Sequence, residues 1–426
     1  MAPSDLRRPY KRPQLSDQQR RRELSLKRQE QSRDAELQAR RLASTLLSLP
    51  PEHQPSEPEP EPETEPGSST DYDLRDASKL KGPAARKWFA KQLMLPEWMI
   101  DVPNRLPHDW SVSISHLSKS RAIFVLRYVL PRPAGKRCFV VSSDGTTISR
   151  QRNGTVLHRF PSALPHGSRN RDGSGPPSYS ILDCIFHEMD QTYYVIDMVC
   201  WKNYSYYNCS TEFRFTWLEE KLRETNARDA PSYYHKYRFS LVPWGCCDLA
   251  GLHKAYDGEV PFVKDGLLFY NKHAHYQPGN TPLALVWKDE HCSQYVIDTD
   301  NKGQVPSHQQ VVLELQDDGK VTTSDDPPVV FGCLNLDFIQ QPGLKTGCLL
   351  RFAIGDGGLT IVDGKLERAD LHYLGMSNRA RAFADTYSKI MFQSMARGSP
   401  LRIDDLVASI NSSDDDANSL DVEMAV

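Results

Sequence analysis

The chain has no run of 18 or more apolar residues, and its opening, Met1-Ala-Pro-Ser-Asp-Leu-Arg-Arg8, lacks the apolar stretch of a secretory signal. Neither a membrane-spanning helix nor a membrane partner is expected. The nine cysteines (Cys138, Cys184, Cys200, Cys209, Cys246, Cys247, Cys292, Cys333 and Cys348) are odd in number, and no two have Cys-x-x-Cys spacing. This argues against a zinc ribbon or a disulfide framework and leads us to expect reduced, mostly buried thiols in the cytosol or nucleus. Tandem repeats and glycine-rich phosphate loops are also missing. His273 and His275 lie two apart without a third ligand, so no metal and no cofactor is expected.

What is present is a marked charge asymmetry. The 426 residues are 39% hydrophobic and 25% charged, and the formal net charge is only -3. Residues 1–50 nevertheless hold twelve Lys and Arg against six Asp and Glu, whereas residues 51–73 hold eight acidic residues and no basic one. A protein that grips an RNA backbone nonspecifically needs a basic main domain, since each neutralised phosphate releases counterions. Here the body is expected to recognise something compact.

Ser16-Asp-Gln-Gln19 fits a capping box, and neither Pro nor Gly follows until Pro50, which predicts a helix from about Asp17 to Leu47. Arg20, Arg21, Arg22, Lys27, Arg28, Arg33, Arg40 and Arg41 are spread around its axis. Its middle turns are poor in apolar residues, so an external acidic partner is expected to order it. Residues 51–80, rich in Pro and Glu, predict an extended spacer. A return of this spacer onto the basic helix is a further expectation.

Short β-rich runs fill the next stretch: Arg121–Leu126, Arg137–Val141, Tyr179–Phe186, Tyr193–Cys200 and Gly266–Tyr270, with helical patterning at Thr211–Arg223. No regular crossover helices separate them. The expected class is therefore α+β, mainly antiparallel, with a body at 81–295. Further runs at Val311–Leu315, Gly347–Ile354 and Gly358–Asp363, then an amphipathic stretch from about Ser377 to Ala396, predict a partly ordered extension at 296–400. The acidic end, 401–426, is expected to be a disordered tail.

Three blocks carry a family resemblance: Gln92–Pro103, Ser180–Leu222 around Gln191-Thr-Tyr-Tyr-Val-Ile-Asp-Met-Val-Cys-Trp201, and Asp265–Leu283. With the basic helix they resemble the snurportins, import adaptors for small nuclear RNAs bearing a 2,2,7-trimethylguanosine cap. The resemblance implies three partners: capped U snRNA, importin beta bound through Arg20, Arg21, Arg22, Lys27, Arg28, Arg40 and Arg41, and an exportin for recycling. It also implies shuttling between nucleus and cytoplasm. Leu401–Ile410 is a candidate export surface.

The cap sets its own demands. Methylation at N7 leaves a delocalised positive charge that an aromatic face attracts by ~1 to 2 kcal/mol. The doubly methylated N2 calls for an apolar wall, and the phosphates call for Arg or Lys. By resemblance Trp287 is the stacking tryptophan, although its spacing after Thr281-Pro-Leu is one residue longer than the family pattern. Leu95 and Trp98 wall the methylated edge, and Lys136, Arg137 and Arg152 match basic positions near the phosphates. Pro96 stands where the family has a serine hydroxyl, and residues 113–133 contain an insertion.

Two alternatives remain at this stage. The first is a general cap or RNA binder whose basic arm touches RNA. The second is an enzyme, because the same blocks distantly resemble the nucleotide-binding core of mRNA guanylyltransferases and ligases. That chemistry needs a nucleophilic lysine in Lys-x-Asp-Gly. Lys264-Asp265-Gly266 lacks the intervening residue, the expected nucleophile falls near Arg132, and Ile185 replaces an acidic residue. No catalysis is expected.

Overall fold

The computed structural model of the chain describes residues 17–29, 35–48, 82–103, 127–169, 178–300, 302–335, 338, 343–362, 365–377 and 383–411. Within them the protein is α+β, and its sheets are mainly antiparallel. Three helices come first: α1 (Asp17–Gln29), α2 (Ala35–Ser48) and α3 (Gly82–Phe89).

Two sheets form the body. The first runs β1 (Met94–Trp98), β12 (Gly279–Trp287), β11 (Lys264–Asn271), β2 (Arg127–Pro133), β10 (Gly245–Cys246) in space, with only β1 and β12 parallel. Pro96, which cannot donate a ladder hydrogen bond, sits on the edge strand β1 beside a register shift. The second sheet runs β5 (Val156–Phe160), β4 (Thr146–Gln151), β3 (Lys136–Ser143), β6 (Tyr179–His187), β7 (Thr192–Trp201), β8 (Tyr204–Ser205), and β9 (Phe239–Leu241) lies parallel to β7. Every residue of β7 is buried, as expected of a mostly apolar strand covered on both faces, and the one acidic residue in it, Asp197, is paired.

Helices α4 (Thr211–Arg223) and α5 (Leu249–Tyr256) flank these sheets, and α4 falls where the sequence predicts it. Ser210 starts α4 by accepting a hydrogen bond from the Phe213 amide. A third, wholly antiparallel sheet follows in the order β15 (Val330–Cys333), β14 (Lys320–Thr322), β13 (Gln310–Leu315), β16 (Leu349–Val362), β17 (Lys365–Met376). Helix α6 (Tyr387–Gly398) and a last helical segment, α7 (residues 403–411), complete the described chain.

Several expectations change. The helix expected over 17–47 is described as α1 and α2, and residues 30–34 lie outside the described residues. Nor does α2 wait for an external partner. Ala39, Leu42, Ala43 and Leu46 are at most 3% exposed and sit in one core with Phe89, Val141 and Ile148. Their i, i+3, i+4, i+7 spacing makes a stripe in which the alanines matter as much as the leucines, because small side chains allow close approach. Leu42→Ala is expected to cost about 2–5 kcal/mol in denaturant unfolding, as for other large-to-small core changes.

The boundary of the acidic tail also moves. Leu406 and Ile410 are buried in a core that includes Trp287, so residues 403–411 are part of the folded body. The same burial withdraws Leu401–Ile410 as an export surface, since its apolar side chains face inward. The run Arg121–Leu126, the spacer at 51–80 with its expected return onto the helix, and Arg33 lie outside the described residues.

Candidate ligand-binding pocket

A cavity of about 390 Å³ opens where β1 and β12 meet the end of β2, the start of β3 and the segment leading into α6. Leu95 and Trp98 from β1, Arg137 from β3, and Arg152 just after β4 all line it, so four of the residues singled out from the sequence meet at one place. Leu95 and Trp98 are half-buried against the main core. The Trp98 amide donates to Ser388 Oγ at 3.1 Å, and its ring lies 4.8 Å from that of Phe392, so α6 holds this wall in place.

Two other candidates lie elsewhere. Lys136 is exposed at the start of β3 and pairs with Glu188 at 2.7 Å, away from the cavity. Side chains alternate along a strand, so neighbours such as Lys136 and Arg137 leave opposite faces. The same rule corrects the larger expectation, for Trp287. That ring is fully buried in a core with Leu285, Phe269 and Leu406, and its Nε1 donates to the Leu401 carbonyl at 3.2 Å. With both faces packed, it offers nothing to stack on. Val286 lines the cavity in its place. The extra residue noted after Thr281 is the physical reason, because a one-residue slip turns a side chain to the other face of the sheet.

The cavity is strongly basic. Arg137 is tied to buried Asp183 through Nε at 3.1 Å and a terminal nitrogen at 2.8 Å, and it also donates to the Met94 carbonyl. Asp183 accepts from Tyr276 Oη at 2.7 Å as well. Burial works against the Arg137 charge, but Asp183 outweighs it and the guanidinium stays protonated. Three lining cations, Arg132, Lys288 and Lys389, escaped notice as cavity residues because no short motif joins them. Lys389 pairs with Asp298 at 2.6 Å and Asp385 at 3.1 Å, while Arg132 and Lys288 share Asp265.

Burial pushes the Asp265 carboxyl up, but Arg132 and Lys288 hold it below the usual carboxylate range. A group lowered on folding stabilises the protein above its unfolded pKa, and that contribution is lost as the pH falls through the folded value. Asp265→Asn is therefore expected to lower the Tm at neutral pH, and the gap to the unaltered protein should close as the pH drops below about 4. Thermal unfolding across pH checks this.

Arg152 differs from the other cations. Its Nε donates to the Ala90 carbonyl at 3.1 Å, its guanidinium carbon lies 3.9 Å from the centre of the Phe383 ring, and no carboxylate among the described residues pairs with it. Burial, with Arg137 adding to it, brings its pKa down to about 10. Phe383 lies outside every block that carried the family resemblance, and nothing in its local sequence marks it. Among the described residues no three His, Cys, Asp or Glu side chains gather as a metal site, and His273 and His275 instead meet Gln29 of α1 through their backbones.

An apolar wall, aromatic rings and clustered cations in a cavity of this size define a pocket for a small, planar, negatively charged ligand of nucleotide dimensions. Residues 92–288 are snurportin-like: they match the family model described as Snurportin1, m3G cap-binding domain. Among solved structures it has some likeness to mycobacterial DNA ligase D complexed with ATP and MES (10% identity, TM-score 0.31, covering 68% of this chain and 96% of that one). Lig E DNA ligases (12%, 0.28, 67% and 99%) and the ligase domain of M. tuberculosis LigD (11%, 0.28, 59% and 89%) are similar at the same level. At these TM-scores the likeness has no bearing on activity.

Proposed function

We propose that the pocket binds the 2,2,7-trimethylguanosine cap of U snRNAs, and that the protein is a shuttling import adaptor for capped ribonucleoprotein particles. The observation that carries this reading is the meeting of Leu95, Trp98, Arg137 and Arg152 around one cavity within the segment that matches the cap-binding family model. The apolar wall suits the methylated N2, and the cations suit the phosphates.

The reading is of a binding protein. The two-sheet body is taken as a nucleotidyltransferase-like core without its nucleophile: Arg132 cannot form a lysyl phosphoramidate, and Lys264 Nζ is spent on the Tyr256 carbonyl at 2.6 Å. Incubation with radiolabelled GTP and magnesium is expected to leave no label on the protein, and retained label would reverse this part of the reading.

Importin beta is the proposed receptor for α1 and α2. Arg20, Lys27, Arg28 and Arg40 are exposed. Arg22 and Arg41 are buried, and Arg21 pairs with Glu97 of β1, so a receptor that engages all seven must lift the helices off the body.

The test is a tryptophan-fluorescence titration of the full chain with trimethylguanosine and 7-methylguanosine cap dinucleotides. Stronger quenching by the trimethyl cap, lost in Trp98→Ala, is the expected result. An equal response to both would favour a general cap binder, and no response would end the cap reading.

A further inference from the structure

We infer that Phe383, delivered by the segment before α6, is the stacking face of this pocket, and that a methylated, positively charged base takes the place on its ring now held by the Arg152 guanidinium. The inference rests on the cap reading and extends it to a residue outside the matched segment. The first support is a vacancy of role. Val286 faces the cavity where a stacking ring would be expected, and Trp287 is sealed into the opposite core. Trp98 does not fill that role freely, since its ring has Phe392 at 4.8 Å and the Lys288 ammonium 5.6 Å from its centre.

The second support is the contact that Phe383 already makes. A guanidinium is flat, delocalised and cationic, as is guanine methylated at N7, and both are drawn to the negative face of an aromatic ring. The Arg152 guanidinium 3.9 Å from the ring centre marks the Phe383 face as turned into the cavity and able to accept a planar cation. Arg152 has no carboxylate partner to hold it there among the described residues, so on displacement it is free to meet the phosphates carried by the same ligand.

The third support is rigidity. Two residues after Phe383, Asp385 is bound from three directions: its amide donates to the Val312 carbonyl at 2.8 Å, its carboxylate accepts from the Val312 amide at 2.8 Å, and its carbonyl accepts from the Ser324 amide at 3.1 Å. Thr386 then caps α6 by accepting from the Lys389 amide at 3.2 Å. A ring fixed to a sheet and a helix start loses little freedom on binding, which favours affinity.

The experiment uses the full chain with Phe383→Leu, which keeps an apolar side chain and removes the ring, and Phe383→Trp, which keeps a ring. Probes are the trimethylguanosine and 7-methylguanosine cap dinucleotides and the unmethylated GpppG dinucleotide. Phe383→Leu is expected to weaken both methylated caps by about tenfold or more while changing GpppG little, so that preference for the charged base collapses. Phe383→Trp should retain it. Wild-type preference in Phe383→Leu, or an equal loss for all three probes that Phe383→Trp does not restore, would overturn the inference while leaving the cap reading intact. If the unaltered protein bound no cap, both would fall together.

Discussion

Trp287→Ala should unfold far more readily than the unaltered protein, by about 3–5 kcal/mol, rather than simply lose its ligand. The indole is fully buried among Met99, Leu285, Phe392, Leu406 and Ile410, and it holds the Leu401 carbonyl through Nε1. Truncation leaves a cavity in the core and removes the donor to the half-buried Leu401 carbonyl. Denaturant unfolding measures the loss. Trp98→Ala is the contrasting case, because a half-buried ring at the cavity edge should cost less stability and more quenching. A Trp287→Ala protein that kept full stability while losing cap binding would reverse this assignment.

Asp197→Ala is expected to have an effect of similar size, about 3–5 kcal/mol, for an electrostatic reason. Arg214 on α4 is fully buried and holds Asp197 on β7 through two hydrogen bonds of 2.8 Å. Removing the carboxylate strands a guanidinium where no water reaches it. The remaining acceptors, the Cys209 and Ala274 carbonyls and the Thr211 hydroxyl, carry only partial charge. Replacing both partners, as Asp197→Leu with Arg214→Met, should recover much of the loss, since no buried charge is then left unpaired. Urea unfolding of the single and double variants separates the two cases, and a double variant no better than Asp197→Ala would show that the pair does more than neutralise itself.

This pair also bears on the pocket. The Arg214 guanidinium carbon lies 5.8 Å from the centre of the Tyr276 ring, Tyr276 Oη donates to Asp183 and accepts from the Met94 amide, and Asp183 orients Arg137. Buried polar groups thus run from α4 to the cavity wall, through the contact of Arg214 with the Tyr276 ring and then through hydrogen bonds from Tyr276 to Asp183 and from Arg137 to Asp183. Such networks fix a unique arrangement because any half-paired alternative is costly.

The body was legible where periodicity is strong. The runs at 179–186 and 193–200 fall within β6 and β7, and Thr211–Arg223 forms a helix as its pattern predicts, because β-branched and aromatic residues dominate the runs and a serine caps the helix. The pocket was legible in part. Leu95, Trp98, Arg137 and Arg152 converge on it, but counting along a strand by family pattern missed the face on which an inserted residue places its side chain. Hence the family pattern points Trp287 outward, whereas Val286 is the side chain that faces the cavity. Phe383 was beyond sequence reasoning, since its role comes from a contact with Arg152 across the fold and not from its neighbours in the chain. The alanines of α2 give a weak signal in sequence because each contributes little area, although Ala39 and Ala43 let the helix sit close to the sheets.

The order in which the chain is made has a consequence of its own. Trp98 bonds to Ser388 across 290 residues of sequence, Trp287 to Leu401 across 114, and Ser409 to the Pro103 carbonyl across 306. During synthesis from the N-terminus the two-sheet body is therefore complete in sequence long before its covering helices exist, and its tryptophan-lined underside stays open to solvent or to a chaperone. Pairings this distant are slow to form. Ribosome-bound chains halted before residue 383 should carry a body with one wall of its pocket missing, and the finished pocket arrives only with the last helices.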